Sequence, residues 1–366
     1  MRLSKETKQV PADTASMSNT LPGLEEMLRI ASEAPVLYQP APFWMELNHI
    51  HLAQLYQNGF ENFKRTVNNR YFNWRMLGIL RFQVRAVLSA WLAHPSRSVF
   101  TARFPKPVMP GEVHTASFNP VSSWIYKTFV AMLAEAVERE DPRGLLGELE
   151  EPELGNPFLI LHRGRAISQD LCNSVHEFYR VVGPTGRLPD EGSGMHVAEL
   201  GAGYGRLAYV FLYALPSASY CIIDLPPALY ISQRYLTTVY PNRRAFLARS
   251  FRNYEEIRQE FETAQVRFLF PHQLELLPPK RFDFFINISS LHEMTVAQVT
   301  NYLKLMDYLV RGRVYIKQWR VSRAAVNGCT LRERDYSIPL SWHRVYQHQH
   351  PVQRMFFEAL YDVSRP

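Results

Sequence analysis

The residues most typical of a cofactor site lie near the middle of the chain. An apolar run is followed by glycines at alternate positions: Gly201, Gly203 and Gly205. Glycine permits the positive φ angles of a sharp strand-to-helix turn, and without a Cβ it lets a ligand approach the backbone closely. An acid, Glu199, stands two residues before the first glycine, and a second apolar run ends in another acid, Asp224. The order strand, glycine loop, helix, strand, acid predicts a nucleotide-type cofactor site in an α/β sheet.

The spacing of the glycines narrows the choice of cofactor. The dinucleotide fingerprint Gly-x-Gly-x-x-Gly needs a glycine where Arg206 stands, so that motif is not present. The segment also lacks the Gly-Lys-Ser/Thr ending of a phosphate-binding loop. The segment resembles motif I of the class I S-adenosylmethionine (SAM) methyltransferases. SAM carries an amino-acid end, which suits Glu199, and ribose hydroxyls, which suit Asp224. Another nucleotide ligand, or a plain strand–helix turn, stays as the alternative.

Further candidates stand where later strands end. In a class I arrangement, His272 and Gln273 follow the third strand and border the adenine, unless Pro271 simply makes a turn there. Asn287 and Ile288 end the fourth strand beside the methyl group. The predicted cofactor-binding set is therefore Glu199, Gly201, Ala202, Gly203, Asp224, Leu225, His272, Gln273, Asn287 and Ile288.

An acid/base pair follows the fourth strand. Methyl transfer to a hydroxyl needs removal of its proton, and a histidine with a pKa of ~6.5 suits that task. His292 and Glu293 are therefore the candidate bases; alternatively, they begin a helix capped by Ser289 or Ser290. Lys317 ends the fifth strand and either holds an anionic substrate or pairs with a carboxylate. His348 and His350 could share a metal, but no acid lies nearby in sequence, so we predict no metal site.

Composition excludes several classes of protein. The chain has 366 residues, 46% of them hydrophobic and 20% charged, which is typical of a globular protein. Three scattered cysteines form neither a disulfide framework nor a metal spacing, so we expect a reducing, cytoplasmic setting. No apolar run reaches the ~18 residues of a membrane span. The net charge of +7 includes a basic, aromatic stretch from Lys64 to Arg85, which is either a solvated helical face or a phosphate or nucleic-acid surface.

Hydrophobic periodicity divides the chain into three parts. Residues 1–20 are polar and predict a flexible tail, 21–190 show mainly helical spacing, and 191–366 alternate between strands and helices. The predicted strands are 195–200, 219–224, 266–270, 283–288 and 313–318. Such alternation predicts a Rossmann-like, mainly parallel sheet, completed to seven strands by the C-terminal tail.

Several segments resemble bacterial sugar O-methyltransferases over residues 40–360. They include Glu199–Ala208, Asp224–Leu229 and Ser289–Met294, together with the more restricted Gly59–Phe72 and Ser168–Asp170. The resemblance implies a class I methyltransferase fold with SAM as donor and a sugar hydroxyl as acceptor. It also implies that the helical half caps the acceptor pocket and that Asp170, Glu177 and His292 line it. Asp170 thereby joins His292 and Glu293 as a catalytic candidate.

The sequence therefore predicts a SAM-dependent O-methyltransferase acting on a sugar or a glycosylated metabolite. Two alternatives stay open. One is an RNA methyltransferase, favoured only by the basic stretch, so we do not expect a nucleic-acid partner. The other is a SAM-binding partner protein without catalysis. A homodimer is one option for assembly.

Overall fold

The computed structural model describes residues 21–66, 83–105, 120–186, 194–322 and 330–363. The predicted tail, residues 1–20, lies outside these ranges, as do parts of the basic stretch. The domain boundary predicted at residue 190 also falls outside them, so the division into domains stays a prediction.

Helices dominate the N-terminal half. They are α1 (Leu24–Ser32), α2 (Pro42–Asn58), α3 (Val84–Ala93), α4 (Pro120–Glu138), α5 (Leu145–Glu148) and α6 (Gln169–Val182). A short hairpin of β1 (Ile160–His162) and β2 (Arg165–Ile167) precedes α6 and was not predicted. Ser168 caps α6, because its hydroxyl accepts the Leu171 N–H at 2.9 Å.

The second half alternates between strands and helices. The strands are β3 (His196–Leu200), β4 (Ser219–Ile223), β5 (Ala245–Phe246), β6 (Val266–Leu269), β7 (Phe282–Ile288), β8 (Val310–Trp319), β9 (Val321–Ser322), β10 (Leu331–Arg332), β11 (His343–Gln349) and β12 (Phe356–Asp362). The helices are α7 (Arg206–Ala214), α8 (Ala228–Val239), α9 (Arg258–Thr263) and α10 (Val296–Leu309). β9 and β10 pair apart from the main sheet.

The main sheet has the order β11-β12-β8-β7-β3-β4-β6-β5. β12 runs antiparallel to both of its neighbours, and the other pairs are parallel. The predicted Rossmann-like α/β fold is confirmed, and each of the five predicted strands is present. The predicted count of seven strands is wrong by one, because β5 adds a two-residue edge strand beside β6.

This topology has one switch point. From β3 the chain builds outward through β4 to β6, and it then returns to the other side of β3 for β7 and β8. The connections therefore diverge above the carboxyl ends of β3 and β7. Such a divergence opens a crevice, and ligands of doubly wound sheets bind there.

One hydrophobic cluster joins the helical half to the sheet. Its buried members include Leu133 of α4, Phe178 of α6, Phe211 of α7 and Tyr220 of β4. The rings of Phe178 and Phe211 meet edge to face, with centroids 4.9 Å apart. α6 therefore packs directly against the helix that leaves the glycine loop.

Candidate functional site

A cleft opens at the switch point of the sheet. It holds about 1230 Å³ of non-protein space, part of it open to solvent. The ends of β3, β4, β7 and β8 form one side, and residues of α2 and α6 form the other. The predicted cofactor residues that line it are Glu199, Gly201, Ala202, Gly203, Asp224, Leu225 and Ile288.

The glycine loop turns through left-handed backbone. Gly201, Gly203 and Gly205 have φ angles of 73°, 61° and 84°, which side chains with a Cβ rarely adopt. A Cβ on Gly201 would also lie 2.3 Å from Oγ of Ser290. The loop therefore passes close to the segment after β7, and α7 starts immediately after its last glycine.

Asp224 ties the glycine loop to the end of β4. Its carboxylate accepts the Gly203 N–H at 2.8 Å and the Leu225 N–H at 2.7 Å. Burial raises the pKa of Asp224 to about 7, although both backbone donors act in the opposite direction. The carboxylate thus lines the cleft with lone pairs left for a ligand hydroxyl.

Glu199 lies near the end of β3 and is buried. Its Oε2 accepts the Tyr220 hydroxyl at 2.7 Å. Burial raises the pKa of Glu199 to about 8, against the Tyr220 hydrogen bond and the charge of Arg206. A carboxyl held near its ionisation point at a cleft wall is well suited to pair with a ligand cation.

His272 and Gln273 are not among the residues that line the cleft; their neighbour Pro271 is. The Gln273 amide serves the local backbone, accepting the Phe270 N–H and donating to the Arg249 carbonyl at 2.7 Å. The His272 ring stacks on Phe270. A contact of either side chain with adenine stays a prediction.

The β7 end is split between the cleft and the core. Ile288, Ser289 and Ser290 line the cleft. The Asn287 side chain is fully buried and donates to the Leu200 carbonyl at 2.9 Å and to Ser290 Oγ at 3.0 Å. Asn287 thereby joins the ends of β3 and β7 below the cleft floor.

His292 lies in the core behind this wall. The side-chain amide of Gln318 donates to Asn287, which leaves the Gln318 Oε1 to face Nδ1 of His292 at 2.9 Å. Because Oε1 can only accept, Nδ1 of the His292 ring carries the proton. The ring stacks on Trp319, with centroids 5.0 Å apart. Burial lowers the pKa of His292 to about 4, so the ring is neutral at neutral pH. The ring is not among the lining residues.

Glu293 is also buried, and burial raises its pKa well above the ordinary value. Its Oε1 lies 3.3 Å from His292 Nε2, and its Oε2 accepts the indole N–H of Trp44 at 3.1 Å. Residues 291–293 form a single 3₁₀ turn. The helix predicted to begin here starts at Val296 instead, because Thr295 caps it and Ser290 makes no cap bond.

One face of α6 contacts the glycine loop and the residue after it through hydrogen bonds and an ion pair. Asp170 accepts the Tyr204 hydroxyl at 3.0 Å, and Ser174 Oγ accepts an N–H of Arg206 at 2.9 Å. Glu177, one further turn along, pairs with Arg206 as well. Burial raises the pKa of Asp170 to about 6. Asp170 is not among the lining residues and contacts the cleft wall through Tyr204.

Glu177 and Lys317 form a buried ion pair that lines the cleft. Nζ of Lys317 lies 2.7 Å from Oε1 of Glu177, and Lys317 also donates to Gln353. Burial would raise the pKa of Glu177, but Arg206 and Lys317 together lower it to about 2. Of the two sequence interpretations of Lys317, the structure shows the pairing with a carboxylate.

The N-terminal segment from Gln39 to Asn48 closes one side of the cleft. Gln39, Pro40, Ala41, Trp44 and Asn48 line it. Gln298 holds this segment to α10 by donating to the Gln39 carbonyl at 2.8 Å. The sequence did not place this segment at the cleft, since pairing of residues some 250 positions apart leaves no local pattern.

Other candidates lie away from the cleft. Lys64, the first cation of the basic stretch, is buried in an ion pair with Glu151 instead of facing solvent. His350 is buried 5.2 Å from the His176 ring, while His348 is partly exposed beside Glu358. The described ranges contain no cluster of three metal-ligating side chains. No helix among them is long and apolar enough to span a bilayer.

Comparisons with known proteins concern the fold. No family model matches the chain, and neither does any curated protein. The chain is similar to the magnesium protoporphyrin IX methyltransferase of Synechocystis PCC 6803, solved with bound SAH, at 12% identity over 48% of this chain and 75% of that one (TM-score 0.34).

Two further solved structures are similar at comparable identity. A SAM-dependent methyltransferase from Aquifex aeolicus is 12% identical over 61% of this chain and 98% of that one (TM-score 0.30). The YcgJ protein of Bacillus subtilis is 16% identical, over 35% of this chain and 45% of that one (TM-score 0.23), so the chain spans less than half of that relative.

Proposed function

We propose that this chain binds SAM and transfers its methyl group to a hydroxyl of a sugar or a glycosylated metabolite. One observation carries the proposal. Two acids, Glu199 and Asp224, and two left-handed glycines between them, Gly201 and Gly203, line the same cleft at the switch point of the sheet. The Rossmann-like fold is compatible with other nucleotide ligands; the donor set is what favours SAM.

The cleft matches SAM group by group. Asp224 would accept hydrogen bonds from the ribose hydroxyls, and Glu199 would pair with the ammonium of the amino-acid end. Gly203 brings backbone to the cleft wall without a side chain in the way. Aromatic rings at Trp44, Tyr302 and Phe356 line the cleft, and aromatic faces attract cations such as a sulfonium. When bound, SAM supplies a methyl group that is open to in-line attack.

The rest of the cleft wall supports a sugar acceptor. Trp44, Met294 and Phe356 supply apolar surface, while Asn48 and Gln353 supply amides that could bond hydroxyls. A mostly apolar pocket with a few polar groups both holds and orients a small ligand. The segment from Gln39 to Asn48 would cover the acceptor and exclude water from it.

The identity of the base stays a prediction. His292, Glu293 and Asp170 were the candidates, and none of the three is among the lining residues. His292 and Glu293 directly precede the lining residue Met294, and Glu293 would influence the acceptor site through its hydrogen bond with Trp44. Glu177 and Lys317 line the cleft itself, and Nζ of Lys317 lies 5.2 Å from the centre of the Phe356 ring.

The acceptor class is tested with labelled SAM and a panel of nucleotide sugars, glycosylated metabolites and RNA, scored by mass spectrometry. We expect methyl transfer to a glycosyl hydroxyl. Methylation of RNA alone would replace the sugar proposal by the nucleic-acid alternative. SAM binding without transfer to any member of the panel would favour the non-catalytic partner protein.

The cofactor assignment is tested by Asp224→Ala and Asp224→Asn in isothermal calorimetry. We expect Asp224→Ala to weaken SAM binding by about a hundredfold, because it removes charge-assisted hydrogen bonds worth roughly 1.5–3 kcal/mol each. Asp224→Asn keeps an acceptor for the Gly203 N–H and should lose less. Glu255→Ala, an exposed acid far from the cleft, is the control. Unchanged affinity in Asp224→Ala would contradict the site.

A further inference from the structure

Arg206 is the one residue of the glycine loop region whose charged group is both anchored and partly open. It occupies the first position of α7 and lines the cleft. Its Nη1 donates to Ser174 and to Glu177. Its Nε and Nη2 have no acceptor among the residues that the structure describes, and its side chain keeps 21% of its exposure. An anchored guanidinium with open donors is a preformed anion receptor.

Lys317 is placed differently. Its side chain is only 1% exposed, and its ammonium is engaged by Glu177 and Gln353. A lysine is also a point charge, whereas a guanidinium presents two parallel N–H groups that match a carboxylate. Arg206 is therefore the cation of this wall with unused, directional donors.

Glu199 supplies the opposite charge on the same wall. The charge of Arg206 acts to lower the pKa of Glu199, so the two groups interact across the glycine loop. An acid and a cation on either side of a left-handed turn match the two charges of an α-amino acid. A ligand with an ammonium alone would leave the Arg206 donors without a partner.

We propose that Arg206 binds the α-carboxylate of the amino-acid end of SAM through Nε and Nη2, opposite Glu199 at the ammonium. The inference rests on the proposed function and assigns one part of its cofactor site. Glu177 and Ser174 are positioning residues, because both accept from Nη1 and leave Nε and Nη2 for the carboxylate. Through these two contacts α6 of the helical half orients a cofactor-binding group of the sheet half.

The test compares SAM with decarboxylated SAM, which differs by the carboxylate alone, in calorimetry at pH 8. The wild-type chain should bind SAM about tenfold to a hundredfold more tightly, the range expected for a charge-assisted hydrogen-bond pair. Equal affinities for the two compounds would overturn the assignment without any variant. If neither compound binds, the proposed function is overturned together with this assignment. This outcome differs from equal binding of both compounds, which overturns the assignment alone.

Variants then test whether Arg206 causes the preference for SAM over decarboxylated SAM. Arg206→Met should bind both compounds with the affinity that the wild type shows for decarboxylated SAM. Arg206→Lys keeps the charge but not the fork and should retain part of the preference, and it serves as the test should Arg206→Met fail to fold. Arg252→Met, on an exposed loop, should match the wild type. A preference that survives in both Arg206 variants would show that another group binds the carboxylate.

Discussion

Two loops of this sheet follow buried parallel strands, yet they use their residues in opposite ways. The glycine loop after β3 presents backbone to the cleft and is bracketed by Glu199 and Asp224. The segment after β7 presents Ser289 and Ser290 but turns His292 and Glu293 back into the core.

The difference shows which sequence signals are local. Glycines at alternate positions specify the backbone conformation of the loop, and that conformation itself forms part of the cleft wall. The direction of a histidine or glutamate side chain depends instead on partners far along the chain. Gln318, Trp319 and Trp44 hold His292 and Glu293, and none of them is near in sequence.

The strongest test of this contrast is Gly201→Ala. We expect it to lower the free energy of unfolding by about 4 kcal/mol, because left-handed backbone costs roughly 1–2 kcal/mol and the clash with Ser290 adds roughly 1–3. Urea unfolding measures the loss. Gly23→Ala is the matched control, since Gly23 also has a positive φ but meets nothing within 4 Å.

The control separates backbone strain from contact between the two loops. Gly23→Ala should show only the backbone part, and Gly201→Ala combined with Ser290→Gly should recover the clash part. Equal losses in the two single variants would mean that the glycine loop does not depend on the segment after β7.

A smaller effect is expected from Glu199→Gln in the cofactor-free chain. Burial raises the pKa of Glu199 to about 8, so the folded chain holds a proton that the unfolded chain releases near pH 4. This group's contribution to stability therefore declines as pH rises from about 4 through 8. Gln cannot ionise, so relative to wild type the variant should gain roughly 3.5 kcal/mol between pH 5 and pH 8, about 1.4 kcal/mol for each pH unit over which only the folded chain holds the proton.

Denaturant unfolding at both pH values measures this gain, with Glu255→Gln as an exposed control. The same variant should bind SAM more weakly at pH 8, because the carboxylate is then lost where it would meet the ammonium. A difference in stability that does not change with pH would mean that folding does not raise the pKa of Glu199 and that the carboxyl is already ionised at pH 5.

The part of the site that sequence predicts is the part built from neighbouring residues. The five strands and the lining residues Glu199, Gly203 and Asp224 follow from local spacing. The wall made by α2 and α6 does not, because Trp44 and Glu177 meet their partners across about 250 and 140 positions. In the sequence analysis, Arg206 only marks the position where the dinucleotide fingerprint would need a glycine. Its proposed role depends on contacts with Ser174 and Glu177, which residue spacing does not reveal.

The smallest effect should come from Glu293→Gln, and it bears most directly on the segment after β7. Burial raises the pKa of this carboxyl and so favours its neutral form, which Gln matches in shape. Its Oε1 can accept the Trp44 indole N–H, and its amide can donate to His292 Nε2, which carries no proton. We therefore expect the free energy of unfolding to change by no more than about 1 kcal/mol, the net worth of one neutral hydrogen bond, and the turnover to stay unchanged. Glu293→Asp, shorter by one methylene, should lose the Trp44 contact and provides the comparison. A Glu293→Gln variant that folds, binds SAM and has no turnover would show that this carboxyl exchanges a proton with the acceptor, and the two loops would then both be catalytic.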